Sequence, residues 1–139
     1  MKKNNNIIQT TALIYLKNKK VLLTLCKGKQ AFYMPGGKPD NGENHLQALV
    51  REINEELAVD ILPKTIKKYG VFEAQAYGKP ESTILSITCY YADIRGEPVP
   101  TSEVEEIRFF SCAEYLKMET TALATCLILK DLKKKGLLR

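Results

Sequence analysis

The sequence predicts an α+β fold, either as strands mixed with helices or as an αβα layered sandwich. Stretches rich in β-branched and aromatic residues, separated by turn residues, predict strands. Residues 44–57 and 113–132 predict two helices, and the first carries apolar residues at helical spacing. Strands and helices that alternate in this way pack as layers around one hydrophobic core.

The chain begins with a predicted β-hairpin. Residues 7–16 and 21–26 are the two strands, and the polar run 17–20 is the turn between them. Residues 32–35 then lead into a glycine-containing loop at 36–43. This loop lies directly before the first predicted helix, so its backbone is expected close to the start of that helix.

The predicted helix at 44–57 has one apolar side. Its stripe consists of Leu46, Leu49, Val50, Ile53 and Leu57. Either Asn41 or Asn44 is suited to cap the helix start. The stripe is centred roughly 120° from the acidic residues of the same helix. We therefore expect the helix to bury one side and to present its carboxylates to solvent.

The second half of the chain predicts three more strands and one helix. The strands are residues 66–77, 83–94 and 107–111. Residues 78–81 form the turn between the first two, and 95–98 end the second. The helix at 113–132 is expected to be interrupted near 119–120.

Composition is that of an ordinary globular protein. The 139 residues (15.7 kDa) are expected to form one domain, 1–139, that buries a core without disulfide or metal support. The start of the chain is basic and polar and no apolar segment is long enough to span a membrane, so we expect neither a signal peptide nor a membrane partner.

Four widely spaced cysteines and a single histidine, His45, argue against a zinc site. No CxxC pair is present, and three of the cysteines lie in apolar stretches. Buried free thiols of this kind are typical of a reducing compartment, and we expect a cytoplasmic protein.

A net charge of +5 has two interpretations. In the first and commoner interpretation, the lysines occupy solvated faces and turns. Alternatively they steer a polyanionic substrate towards the molecule. A nucleic-acid partner is not favoured, and would show itself by affinity that falls steeply with salt.

Three glutamates, Glu52, Glu55 and Glu56, occupy one face of the predicted helix. Positions i, i+3 and i+4 are neighbours there, and like charges at this spacing destabilise an isolated helix. A hard divalent cation reverses that effect, because carboxylate oxygens are what Mg²⁺ binds. Together with the glycine loop, the cluster indicates a metal site that faces a phosphate.

The spacing of these residues resembles the Nudix box. That pattern is a Gly, five residues, a Glu, seven residues, then Arg-Glu-apolar-x-Glu-Glu-x-Gly-apolar. The chain has Gly37, then Glu43, then residues 51–59 at the same spacing, and departs only at Ala58, where the family has Gly. If this position requires a left-handed backbone, alanine costs about 1 kcal/mol or more; otherwise the helix ends differently.

The resemblance implies an αβα sandwich with a mixed sheet, and a metal-dependent hydrolase. Glu52, Glu55 and Glu56 would hold Mg²⁺, with Mn²⁺ as the alternative metal and the Gly37 carbonyl as a further ligand. Arg51 and Glu43 would orient the box. The catalytic base of the family varies: it is a box glutamate, here Glu52, or an acid from a later loop.

Glu103 is the candidate for that loop acid, as a base or a further ligand. Glu105 and Glu106 are weaker candidates, and Glu97 stays open. For substrate binding the resemblance implies Gly36, Gly37 and Lys38 at the phosphates, with Phe32 lining the pocket.

The expected substrate is a nucleoside triphosphate, cleaved to a nucleoside monophosphate and pyrophosphate as in the MutT-like branch. Alternatives are a dinucleoside polyphosphate, ADP-ribose or a 5′-triphosphate RNA end. Tyr77 lies at about the right separation for the dinucleoside branch. A non-catalytic nucleotide-binding module is the rival from another class. A homodimer is compatible with the resemblance.

Overall fold

The computed structural model describes residues 6–76, 79–80 and 82–139. Tyr77, Gly78 and Glu81 lie outside the described residues, as does the tyrosine expectation attached to the dinucleoside branch. The elements of the described chain are β1 (Asn6–Ile14), β2 (Leu16–Lys17), β3 (Lys20–Cys26), α1 (His45–Leu57), β4 (Asp60–Ile61), a 3₁₀ turn (Pro63–Thr65), β5 (Lys67–Gln75), β6 (Thr83–Tyr91), β7 (Ile94–Arg95), β8 (Val104–Phe110), α2 (Cys112–Leu116) and α3 (Leu123–Lys134).

Strand pairing confirms the predicted mixed α+β fold. Strand β1 runs parallel to β6, and β6 pairs antiparallel with β5. Strand β3 pairs antiparallel with both β2 and β8, while β4 and β7 form a short separate pair. The last long strand begins at Val104, earlier than the predicted 107, because its pairing with β3 continues to Cys26 across an irregularity in register.

The segment before α1 connects the two larger sheets. Tyr33 exchanges backbone hydrogen bonds of 2.8 Å with Thr24 of β3. Further on, the carbonyls of Pro35 and Gly37 each accept a 2.9 Å bond from a backbone N–H of β1. The glycine loop is therefore fixed along β1, where it faces α1.

Helix α1 starts with a capping box, in which Asn44 and Gln47 bond each other's backbone N–H groups. Leu49, Ile53 and Leu57 are buried, as expected of the stripe. Leu46 is instead 43% exposed, because it lies in the first turn, before the helix reaches the core. The helix does not turn all its acids to solvent: Glu56 is only 8% exposed.

The C-terminal helical region is interrupted, as predicted. Helix α2 ends at Leu116 and α3 begins at Leu123. Between them the hydroxyl of Tyr115 donates to the Phe32 carbonyl at 2.6 Å and accepts from the Ala122 N–H at 3.0 Å. This fully buried tyrosine fixes where α3 begins.

The four cysteines are free, and three of them are buried. Within the described ranges, no helix is long and apolar enough to cross a membrane.

Candidate active site

Arg51 organises the outer side of the glutamate cluster. Its guanidinium makes a two-pronged contact with Glu43, at 2.7 and 2.9 Å, and donates to Glu55 at 3.0 Å. The hydrogen bond from Arg51 holds the pKa of the Glu43 carboxyl below its usual range. The same guanidinium reaches the Lys38 carbonyl at 3.2 Å, which ties the loop to the helix. Arg51 thus joins the loop to the helix, and the orienting role that the resemblance implies for Arg51 and Glu43 stays a prediction.

Glu56 is the buried member of the cluster. Its carboxylate accepts a hydrogen bond of 3.2 Å from the Gly36 N–H. Burial, helped by the nearby charges of Glu52 and Glu103, raises the pKa of Glu56 to about 8, and the hydrogen bond from Gly36 opposes this shift. A carboxylate in such surroundings is stabilised by a cation or a proton.

Glu52 packs against the backbone of the glycine loop. A Cβ atom at position 37 would overlap the Glu52 carboxylate, so only glycine permits this approach. Burial raises the pKa of Glu52, while the Arg51 charge at 3.4 Å opposes that shift. Glu52 and Glu56 also lie within hydrogen-bonding reach of each other. Two carboxyl groups this close share a proton or a cation.

The donor chemistry of this cluster fits a hard divalent cation, but the arrangement is incomplete. In the described residues, no group of three or more His, Cys, Asp or Glu side chains is placed to hold a metal. Glu55 is 50% exposed, and one of its carboxylate oxygens is bound to Arg51 at 3.0 Å. Glu52 and Glu56 are therefore the two acids of the cluster that the structure already places side by side.

The Gly37 carbonyl does not point to this cluster. It accepts two bonds of 2.9 Å from Thr11, one from the backbone N–H and one from the hydroxyl. Both lone pairs of this oxygen are therefore in use, and the expectation that it ligates the metal does not agree with the geometry. The neighbouring Gly36 carbonyl makes no hydrogen bond within the described part of the chain.

Glu103 lies near the cluster. Its charge contributes to the raised pKa values of Glu56 and of the Cys26 thiol, and its backbone carbonyl accepts a 3.0 Å bond from Lys27 at the end of β3. Glu106 is bound to Arg108 at 2.8 Å instead. Of the late acids, Glu103 is thus the one that the structure brings to Glu56.

A cavity of about 390 Å³ opens beside the glutamates. One side, the acidic wall, consists of Gly36, Gly37, Lys38, Glu52 and Glu56. The other side, the apolar wall, consists of Ile8, Leu85, Ile87 and the start of α3 at 122–125. The cavity is also lined by residues of β1, β3, β5 and the loops beside them: Thr10, Thr11, Ala12, Thr24, Cys26, Tyr33, Met34, Gln75, Ala76 and Lys79. The volume lies in the range of small-molecule sites, roughly 300–1,000 Å³.

Phe32 was expected to line this cavity, and that expectation is wrong. Phe32 is 2% exposed, and its ring packs against Phe110 at 5.0 Å and below the Arg108 guanidinium at 5.0 Å. The next residues, Tyr33 and Met34, line the cavity instead. The contacts with Phe110 and Arg108 hold Phe32 in the core, and the chain reaches the cavity one residue later.

The apolar wall was missed by sequence reasoning. Its residues come from β1, β6 and α3, far apart in the chain. The alternation of side chains along a strand was the available signal for which residues share a face. It does not tell which face borders a cavity unless the pairing of β1 with β6 is known.

Comparison with known proteins supports the family that the sequence motif resembles. The family model of the NUDIX domain matches residues 7–127, and the chain therefore belongs to the Nudix family. It is a Nudix hydrolase. None of the curated proteins matches its sequence.

Solved structures share the fold. The MutT protein from Methanosarcina mazei Go1 superimposes with a TM-score of 0.76 at 15% identity, over 97% of this chain and 99% of that one. The E. coli ORF135 protein gives 0.74 at 22% identity, over 95% and 92%. The MutT NUDIX hydrolase from Burkholderia pseudomallei gives 0.71 at 20% identity, over 90% and 97%.

Proposed function

We propose that this Nudix hydrolase cleaves a phosphoanhydride bond of a nucleoside triphosphate and releases a nucleoside monophosphate and pyrophosphate. The observation that carries the proposal is one cavity with two unlike walls. Its acidic wall holds two adjacent carboxyl groups, and its apolar wall offers a surface for an organic ring. A nucleotide has the same division between phosphates and base.

Glu52 and Glu56, joined by Glu55 and the Gly36 carbonyl, are the residues that would hold Mg²⁺, with Mn²⁺ as the alternative. When bound, such an ion neutralises phosphate charge and lowers the pKa of bound water. Because carboxylates alone would repel a polyphosphate, Glu52 and Glu56 would need a cation between them and the phosphates. Lys38, exposed at the cavity, adds one positive charge beside the phosphates.

The attacking water needs a proton acceptor. Glu52 lines the cavity and is held in place by Gly37, whereas Glu103 reaches the cluster from outside the lining. We therefore assign the acceptor role to Glu52 and a supporting electrostatic role to Glu103. Arg51 keeps α1 and the loop in register through Glu43 and Lys38, and acts as a positioning residue.

The remaining expectations are part of the proposal. Residues 1–139 would act as one domain on a small nucleotide. Buried free thiols support a reducing compartment such as the cytoplasm.

The test is phosphate and pyrophosphate release from a nucleotide panel with and without Mg²⁺. The panel contains nucleoside triphosphates, dinucleoside polyphosphates, ADP-ribose and 5′-triphosphate RNA. Glu56→Gln is the test variant, and Glu73→Gln, at an exposed position on β5, is the matched control. We expect metal-dependent release of pyrophosphate from triphosphates, abolished only by Glu56→Gln. Turnover of another panel member would reassign the substrate, and binding without turnover would favour a nucleotide-binding module.

A further inference from the structure

Strand β5 forms an outer edge of its sheet. It pairs antiparallel with β6, and the strand order β1, β6, β5 leaves its other side without a partner strand. No backbone hydrogen bond joins residues 67–74 to any part of the described chain other than β6. The outer side of β5 therefore carries unpaired N–H and C=O groups that a further strand can bond.

Three residues of β5 share one face of the sheet at this edge. Lys68, Val71 and Glu73 lie opposite alternate residues of β6, at positions 90, 88 and 86. Tyr69 has no partner in β6, and this irregularity is what brings Lys68 to the same face as the other two. The face is therefore basic at one end, apolar in the middle and acidic at the other end.

The charges of this face are not neutralised by neighbours. Lys68 and Glu73 are exposed, and neither makes an ion pair within the described ranges. They lie too far apart to bind each other, because the β6 residues opposite them, at 90 and 86, are separated by about 13 Å of extended chain. Val71 between them is 48% exposed. Such a face is complementary to a copy of itself turned end to end.

We propose that β5 pairs antiparallel with β5 of a second copy of this chain, about a two-fold axis at Val71. In this register Val71 faces Val71 of the second copy, and Lys68 faces Glu73 of the second copy at both ends. The opposed side chains lie on the same face, as pairing in a sheet requires. Each copy supplies both halves of the interface, and the two three-stranded sheets become one sheet of six strands.

The same features disfavour other strands as partners. Lysines and bulges at a sheet edge normally prevent uncontrolled pairing. Like charges directly opposite each other destabilise a strand pair and opposite charges stabilise it, so Lys68 favours a strand with an acid at the facing position. Strand β8 is also the last strand of its sheet, but its Glu106 and Arg108 are already bound to each other at 2.8 Å.

Charge reversal tests the pairing. Sedimentation velocity between about 10 μM and about 1 mM covers the weak affinity expected of a small interface. The wild type should form a dimer. Lys68→Glu and Glu73→Lys each set like charges opposite one another at both ends, and each should weaken the dimer about 10-fold or more. Lys130→Glu, at an exposed position of α3, is the matched control for net charge and should leave association unchanged.

Restoration of the dimer is the decisive result. The double variant Lys68→Glu, Glu73→Lys again sets opposite charges against each other, and so does an equimolar mixture of the two single variants. Both should associate about as tightly as the wild type. Thermal unfolding run beside these measurements checks that each variant folds like the wild type.

A wild type that stays monomeric at all these concentrations would overturn the inference. So would a dimer that the single variants leave intact, or single variants whose association neither the double variant nor the mixture restores. Residues 67–74 do not line the cavity, so the inference does not rest on the proposed function. The nucleotide panel decides hydrolysis whichever oligomeric state is found.

Discussion

The two walls of the cavity are built in different ways. The acidic wall comes from 36–56, one loop and one helix that are adjacent in the chain. The apolar wall combines residues of β1, β6 and α3 that meet only after folding. The first wall offers charge and close backbone approach, and the second offers apolar surface. Substitutions should therefore remove chemistry at the first wall and weaken binding of the organic part of the substrate at the second.

The largest effect is expected at Glu56. Glu56→Gln keeps the size of the side chain but removes the charge that would hold a metal. Loss of such a group should lower kcat by roughly 100-fold or more. The measurement is steady-state hydrolysis with saturating Mg²⁺, with thermal unfolding run beside it. A variant with wild-type kcat would contradict the proposal that Glu56 holds a metal needed for hydrolysis.

The two loop glycines should separate activity from stability. Gly37→Ala places a methyl group against the flexible Glu52 side chain, which can shift, so kcat should fall up to about 100-fold with little loss of stability. Gly36→Ala meets the Thr11 carbonyl at a φ of 143° and should lower the free energy of unfolding by about 1–3 kcal/mol. Kinetics and urea unfolding of both variants check this prediction. A large loss of stability in Gly37→Ala, with little loss in Gly36→Ala, would contradict the loop geometry.

The raised pKa of Glu56, about 8, predicts a pH dependence of stability without metal. Between the ordinary carboxyl value and this one, the folded protein holds a proton that the unfolded chain releases. The stability from this proton is complete below about pH 4 and is lost as pH rises towards 8. Urea unfolding in a chelator should give a free energy about 1–2 kcal/mol lower at pH 8 than at pH 6.

Glu56→Gln isolates this effect, because its side chain does not titrate. Its free energy of unfolding should change less between pH 6 and pH 8 than that of the wild type. Equal slopes for the two proteins would show that groups other than Glu56 cause the dependence.

The smallest effect is expected at Ala58, in the same motif but outside both walls. Ala58 ends α1 in the left-handed conformation, with φ 57° and ψ 35°. Of the two alternatives that the sequence left open, a left-handed backbone at position 58 is therefore the observed one. Ala58→Gly should raise the free energy of unfolding by about 1 kcal/mol and leave kcat unchanged. Denaturant unfolding at constant m-value is the check; a destabilised variant would contradict this account of the helix end.

The sequence was informative where function depends on neighbours in the chain. The spacing on one helix predicted that Glu52 and Glu56 lie together beside Gly37, whereas Glu55, predicted to join them, is bound to Arg51. Burial of Glu56 was not predictable, because it depends on how α1 packs against the glycine loop. Phe32 was misplaced by one residue for a similar reason: which face of an extended segment borders a cavity depends on strands distant in sequence.

The start of α3 shows the same limit. The sequence predicted an interruption before this helix, but not that Tyr115 would fix its first residue beside β6. Residues 122–125 line the cavity only because tertiary structure places the start of α3 there. Local sequence patterns carry no information on that placement.

The central claim is that the metal binds at the acidic wall and away from the apolar wall. Mn²⁺ tests it most directly, because its unpaired electrons broaden NMR signals of nearby amides. At Mn²⁺ well below the protein concentration, signals of 36, 37 and 52–56 should broaden first, and those of 123–125 less. The double variant Glu52→Gln, Glu56→Gln should lose this pattern. Broadening centred elsewhere, or unchanged in the double variant, would contradict a metal site on the acidic wall.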